Sequence, residues 1–342
     1  MLMKLITWGS SPAKYLRLSF LGVGIFVSVL LSSGLSASAA SVTSGSASGL
    51  SISPLRQDLT LKPGQADKID VTLKNITGGP IVAKVSVLDF ESDNVDGNPK
   101  IITNTNYSDP SSIRNFLIGL GNVPLATGVQ QTFSIPVQAP ANASPGAYFG
   151  LITYQAVPDD TNNPGGNNKV ALSAAVSQLV FITVPGNISQ RLQLDAIQVY
   201  KNSNATNEGV FFTSIPKSLG VELHNYGNGF ATPFGNVSLK NSEGKQIYTY
   251  ELNGSITRGL ILPNSTRIFT NPLKNITRPG RYTIEVNASY GAGSAILTAK
   301  KTFWYIQTWL IAVVIVVILL LILAIWLVRR RYKRATTRRY RH

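Results

Sequence analysis

The chain of 342 residues has no cysteine, two histidines and two methionines, and its 16 acidic residues are outnumbered by 31 lysines and arginines. Without cysteine there are no disulfides, thiolate zinc sites or thiol nucleophiles, so core burial alone must stabilise any exported part. Of the two histidines, His342 is the last residue. His224 lies in V-E-L-H-N, where a period of two turns Val221 and Leu223 inward and Glu222 and His224 outward. A Ser-His-Asp arrangement would have to be built around that one surface position, so His224 is expected to be an ordinary exposed residue without a catalytic role. G-x-S-x-G, H-E-x-x-H and a phosphate loop are also missing, and no enzymatic activity is expected.

Long apolar runs occur at the two ends only. Residues 309–328 read WLIAVVIVVILLLILAIWLV, without a charge, and are followed by RRRYKRATTRRYRH. Twenty helical residues span about 30 Å, the thickness of a bilayer's hydrocarbon core. A transmembrane helix is therefore expected over 304–328, with Trp304, Tyr305 and Trp309 at one membrane interface and Trp326 and Tyr332 at the other. Residues 329–342 form a basic tail that is expected to be cytoplasmic, with the preceding domains outside the cell. At the other end, Lys4, Lys14 and Arg17 precede an apolar run over 20–31 and the small residues Ala37, Ser38 and Ala39. Residues 1–40 read as a signal peptide, and the Ser/Gly-rich residues 41–48 as a flexible leader.

Between these ends the pattern is β. Residues 69–74 alternate as I-D-V-T-L-K and 81–88 as I-V-A-K-V-S-V-L. Further strands are expected over 131–137, 148–155, 176–184, 192–200, 219–224, 237–240, 246–252, 266–270, 282–288 and 295–303, with a helical turn within 111–120. Short strands separated by Pro/Gly turns predict an all-β fold of sandwiches. The motif V-T-L-K-N (71–75) recurs as V-E-L-H-N (221–225), and P-G-A-Y (145–148) as P-G-R-Y (279–282). Two copies of one immunoglobulin-like β-sandwich are expected, over 49–186 and 190–303, with the boundary at Pro185, Gly186 and Asn187. The first copy carries two polar insertions, 89–98 and 158–168.

The formal charge of +15 separates by region. Eight positive charges belong to the tail and three to the signal peptide; residues 41–190 carry −2 and residues 191–308 carry +6. No concentrated nucleic-acid footprint emerges. Asp89, Glu91, Asp93 and Asp96 lie close together in DFESDNVDG, and the first three would share one face of an extended strand. Such oxygen ligands suit Ca²⁺, and these four are the candidate metal residues; the plain alternative is a polar strand end running into an Asp-Gly turn. No other cofactor is expected. Ten N-x-[ST] sequons are present, among them Asn75, Asn253 and Asn264. Residues 262–266, LPNST, read as a turn before a strand rather than a wall-sorting signal.

The segments S-I-S-P (51–54), L-K-P-G-Q (61–65), V-T-L-K-N-I-T (71–77) and P-G-A-Y-F-G (145–150) resemble the peptidoglycan-binding domain of the WxL-interacting protein family. That resemblance spans residues 50–186. It implies a plan of signal peptide, two immunoglobulin-like domains, one C-terminal membrane helix and a basic tail. It also implies a non-catalytic, membrane-anchored surface protein that binds peptidoglycan or another cell-wall glycan, or other surface proteins. The alternative is a chaperone-like accessory factor that acts on exported proteins by strand addition.

Overall fold

A computed structural model describes residues 45–47, 49–102, 109–159, 174–291 and 295–338. The expected signal peptide lies outside the described residues, as do residues 160–168 of the second insertion. Apart from a short 3₁₀ turn, the described residues are all-β up to one C-terminal helix, α1 (Thr308–Arg338).

The first sandwich has one sheet of β1 (Gly45–Ala47), β2 (Leu50–Ser53), β4 (Ala66–Asn75) and β9 (Gln130–Gln138). Its other sheet runs in the order β3 (Arg56–Thr60), β11 (Ala175–Val184), β10 (Gly146–Pro158), β5 (Ile81–Leu88) and β8 (Val123–Leu125). A small hairpin, β6 (Phe90–Ser92) with β7 (Pro99–Ile101), projects beyond β5. The second sandwich has a sheet of β12 (Leu192–Tyr200), β14 (Ser218–Asn225) and β17 (Ser265–Pro272). It faces a sheet in the order β13 (Phe211–Phe212), β19 (Ala295–Tyr305), β18 (Gly280–Tyr290), β15 (Phe234–Lys240) and β16 (Gln246–Leu252). Each sandwich encloses its own apolar core, and in both the first strand of the larger sheet pairs in parallel with the last. The same topology is thus built twice.

The repeated motifs are the joints of this topology. In the first copy Asn75 is fully buried and its Nδ2 donates to the carbonyls of Gly79, Leu125 and Ala126. In the second, Asn225 is equally buried and donates to Gly229, Ile261 and Leu262 at 2.8, 3.1 and 3.2 Å. Each asparagine also accepts from a backbone amide two residues on, so one side chain fastens two loops. The P-G-x-Y repeat sets a tyrosine at the start of a core strand: Tyr148 donates to Ser144 O and Tyr282 to Arg278 O. These are tyrosine corners, in which the hydroxyl ties a strand start to the turn before it.

Several boundaries differ from the sequence reading. Part of the leader expected to be flexible, Gly45–Ala47, pairs with β2. Trp304 and Tyr305 belong to β19 rather than to the membrane segment. Tyr305 pairs with both Gly280 and Phe212 and is buried, because the alternation of β19 continues past Phe303. The helical turn is a single 3₁₀ turn, Arg114–Phe116. Within α1, Thr308–Arg330 is long and apolar enough to cross a membrane, and none of its apolar window is buried.

On β18, the Glu285 carboxylate accepts from Lys240 Nζ of β15 at 2.7 Å and lies 2.9 Å from Lys300 Nζ of β19. The Lys240 hydrogen bond, then that of Lys300, holds Glu285 below its usual range. A depressed carboxylate pKa adds stability above the unfolded value, and this is lost as pH falls through the folded value. Glu285→Gln should therefore lower the melting temperature near pH 7. The gap should close as pH falls from about 5 to about 3, and a gap that is constant with pH would refute the account.

Candidate functional site at the joint between the sandwiches

Strand β10 is thirteen residues long and buried at most positions, not at alternate ones. Ile152 and Tyr154 face the first core, whereas Phe149 and Leu151 join Phe90 and Phe181 in a separate cluster with Leu260 and Leu262 of the second sandwich. Phe230 packs on it, its ring centroid 5.4 Å from that of Phe181, and Phe90 meets Phe149 at 5.1 Å. Backbone bonds reinforce the contact: Ala147 N donates to Asn228 O at 2.9 Å, and Asn228 Nδ2 to Pro145 O at 3.0 Å. The β6–β7 hairpin closes over the free edge of β17. Ile268 N donates to Val95 O at 2.7 Å and Thr266 N to Asn94 Oδ1 at 3.0 Å.

The acidic insertion is this clasp. Asp89 is buried and accepts from Arg114 Nε at 2.7 Å and Ser112 Oγ at 2.6 Å. Glu91 pairs with Lys100 across the hairpin at 2.7 Å. Asp93 Oδ1 accepts from the amides of Val95 and Gly97 at 2.9 and 2.8 Å. Burial raises the Asp93 pKa, but these amides outweigh it and hold the carboxyl low. Asp96 lies in the turn, near enough to Arg267 for their charges to interact. The strand expected to align the carboxylates is only three residues long, so they are spread over separate partners. Among the described residues, no group of three His, Asp or Glu side chains converges as a metal site would require.

Arg267 of β17 is the residue around which the clasp closes. Its Nη1 donates to Leu260 O at 2.9 Å, and the guanidinium lies 5.2 Å from the Phe269 ring. Glycines flank it: a Cβ at Gly97 would lie 2.8 Å from Arg267 Cδ, and one at Gly259 2.8 Å from Cζ. Burial pushes the guanidinium pKa down, against the opposing charges of Asp93 and Asp96. Beside Arg267 a groove of about 840 Å³ runs between β16 and β17, lined by Asp96, Asn98, Glu251, Asn253 and Asn271 among others.

The wall formed by β16 is an open sheet edge. Unpaired edges invite other strands, and proteins blunt them by shortness, charge, proline, bulges or covers. Strands β1, β8 and β13 have three, three and two residues. Strand β3 carries the Arg56–Asp58 ion pair, and β12 is bulged at Asp195. Strand β9 has Pro136, whose carbonyl accepts from Ile118 N, and β17 lies under the clasp. Strand β16 is bulged near Ile247, where Asn275 Nδ2 caps the carbonyl. Over 248–252 it has no proline or lysine, and its flank away from β15 has no backbone partner among the described residues. The Thr249 hydroxyl donates to Val237 O at 3.1 Å, so that carbonyl faces β16, and Val237 is paired with Tyr250, whose amide then faces β15. Alternation then leaves the Thr249 and Glu251 amides pointing outward.

His224 is half-buried rather than exposed, with Nδ1 2.8 Å from Thr266 Oγ1 and its ring against Tyr226. Leu262 of LPNST is part of the joint, and Asn264 turns at φ 49° into β17. Of the sequons, Asn75 and Asn253 are buried with their amide groups hydrogen-bonded. Sequence reasoning missed Arg267 and the phenylalanine joint. The signal available for the joint was the unbroken apolar run Y-F-G-L-I-T-Y in β10, which alternation alone does not explain.

No family model matches the chain, and no curated protein does. Among solved structures it is similar to the class 5 fimbriae chaperone CfaA, at 12% identity over 74% of this chain and 98% of that one, with a TM-score of 0.38. It is also similar to the E. coli chaperone DraB, at 15% identity over 75% of this chain and 96% of that one, TM-score 0.33. A third is the Salmonella enterica SafA pilin in complex with the SafB chaperone, at 12% identity, 76% and 96% coverage and TM-score 0.33. At these scores the likeness is too loose to carry an argument about function.

Proposed function

We propose that this chain is a non-catalytic, membrane-anchored binding protein that receives an extended segment of another exported protein along β16. The helix α1 is the anchor. The eight basic residues after Val328 support a cytoplasmic tail with both sandwiches outside. The observation that carries the reading is the run 248–252, an edge beside the Arg267 groove whose outer flank has no backbone partner among the described residues. Strand addition draws its affinity from main-chain hydrogen bonds and its selectivity from alternate side chains, which here would meet the groove and Arg267.

A photo-crosslinking side chain at Thr249 should capture a peptide from an exported protein in producing cells. Thr249→Pro, which removes the outward amide at an edge where proline is tolerated, should abolish binding and leave the melting temperature nearly unchanged. Thr249→Val, which keeps the amide, should still bind. Binding that survives the proline would refute strand addition.

The polar lining of the groove favours a second reading, in which amide, carboxylate and hydroxyl groups hold a cell-wall glycan, as the family resemblance implies. Crosslinks to muropeptide rather than to protein would select it. Calcium at Asp89, Glu91, Asp93 and Asp96 forms no part of either reading.

A further inference from the structure

The end of the second sandwich next to α1 is strongly basic. Strand β19 ends at Tyr305 and α1 starts at Thr308, so two residues separate sheet from helix, a reach of about 7 Å. Strand directions then fix which loops lie at that end. Strand β18 starts opposite Tyr305, β15 ends beside the start of β18, and β14 starts where β12 and β17 end. The turns over 201–217, 241–245 and 273–281 therefore gather around the start of α1. They present Lys201, Lys217, Lys245, Lys274, Arg278 and Arg281, all exposed, and among the described residues none of the six forms an ion pair. Glu243 is the acidic residue at the tips of these turns, whereas Glu208 is engaged by Lys301 farther up the sheet. A cleft of about 570 Å³ beside the helix is lined by Lys201, Lys217, Ile215, Tyr305, Gln307 and Trp309. Ile215 and Trp309 are exposed there, and Trp309 Nε1 donates to Gln307 Oε1 at 2.6 Å.

We propose that this end is a binding surface for the anionic phospholipid headgroups of the leaflet that α1 enters. The inference rests on the reading of α1 as a membrane anchor. A two-residue link holds the six cations close to the headgroup layer, inside the screening length of about 8 Å at physiological salt. Lysines and arginines beside indole and aliphatic side chains suit a phosphodiester above an acyl boundary. A soluble anionic polymer has the same phosphate chemistry, but the short link favours the lipid that is already in place. The contact would hold the second sandwich upright, with the clasp and the first sandwich at the far end from the membrane.

The chain has no cysteine, so single labels can be placed in the full-length protein. Spin labels at Ser242→Cys, in the basic turns, and at Leu321→Cys, within α1, are read in nanodiscs by accessibility to a water-soluble nickel chelate. The Ser242 label should be protected in discs with phosphatidylglycerol and open in discs of phosphatidylcholine alone. Each neutralised charge, as in Lys274→Gln or Arg278→Gln, should weaken the protection about fivefold. Raising ionic strength from about 0.1 M to about 1 M, which cuts the screening length from about 10 Å to about 3 Å, should abolish it. Equal accessibility in the two lipids overturns the proposal. So does protection in phosphatidylcholine discs by added soluble polyglycerol phosphate, which would make a free polymer the ligand. A chelate that reaches Leu321→Cys removes the anchor reading, and the proposal with it.

Discussion

Asn225→Ala is expected to destabilise the second sandwich by about 3–4 kcal/mol, the largest effect of any polar substitution proposed for it. The side chain is fully buried and holds the carbonyls of Gly229, Ile261 and Leu262 together with the amide of Gly227. Alanine leaves Gly229 O and Gly227 N without these partners, whereas Ile261 O keeps Ala231 N and Leu262 O keeps the Ser265 hydroxyl; each orphaned group costs about 1–3 kcal/mol unless water or loop movement rescues it. Asn75→Ala should act in the same way on the first sandwich, because Asn75 makes the matching set of bonds. Chemical denaturation of the full chain in detergent would measure both. A loss below about 1 kcal/mol would mean that the two loops are fastened by other contacts.

Phe90→Ala should cost about 3 kcal/mol and also change how the molecule unfolds. Phe90 is buried against Phe149 and Phe181, in the apolar cluster that joins the two sandwiches. Each sandwich has its own core, so their cooperation depends on this cluster and on the clasp over β17. Calorimetry of the unsubstituted chain should show one transition for both sandwiches, and Phe90→Ala should split it into two. If the variant melts lower but still in one step, the coupling lies in the clasp and in the bonds of Asn228 rather than in the phenylalanines.

Strand positions were legible wherever one face is buried and the other wet. Residues 81–88, 192–200 and 246–252 form strands with those bounds, because alternation records a sheet with one dry face. The short strands β3, β6, β8 and β13 escaped notice, since two to five residues are too few to establish a period. The candidate site was legible only in part. The acidic insertion drew attention as a set of oxygen ligands, yet its carboxylates serve a turn and two ion pairs within a clasp.

The sequence by itself determined the apolar helix, the all-β class and the doubled topology. A continuous apolar run, alternating strands and the paired Asn and Pro-Gly-Tyr motifs are local patterns, each with a local physical cause. Only the tertiary structure decided what lies between the copies: that Phe149 and Phe181 face outward into a joint, that Arg267 threads between Gly97 and Gly259, and that β16 is left uncapped while β17 is covered. Those outcomes depend on residues far apart in the chain that meet across two folded surfaces. No period within a single segment encodes such a meeting.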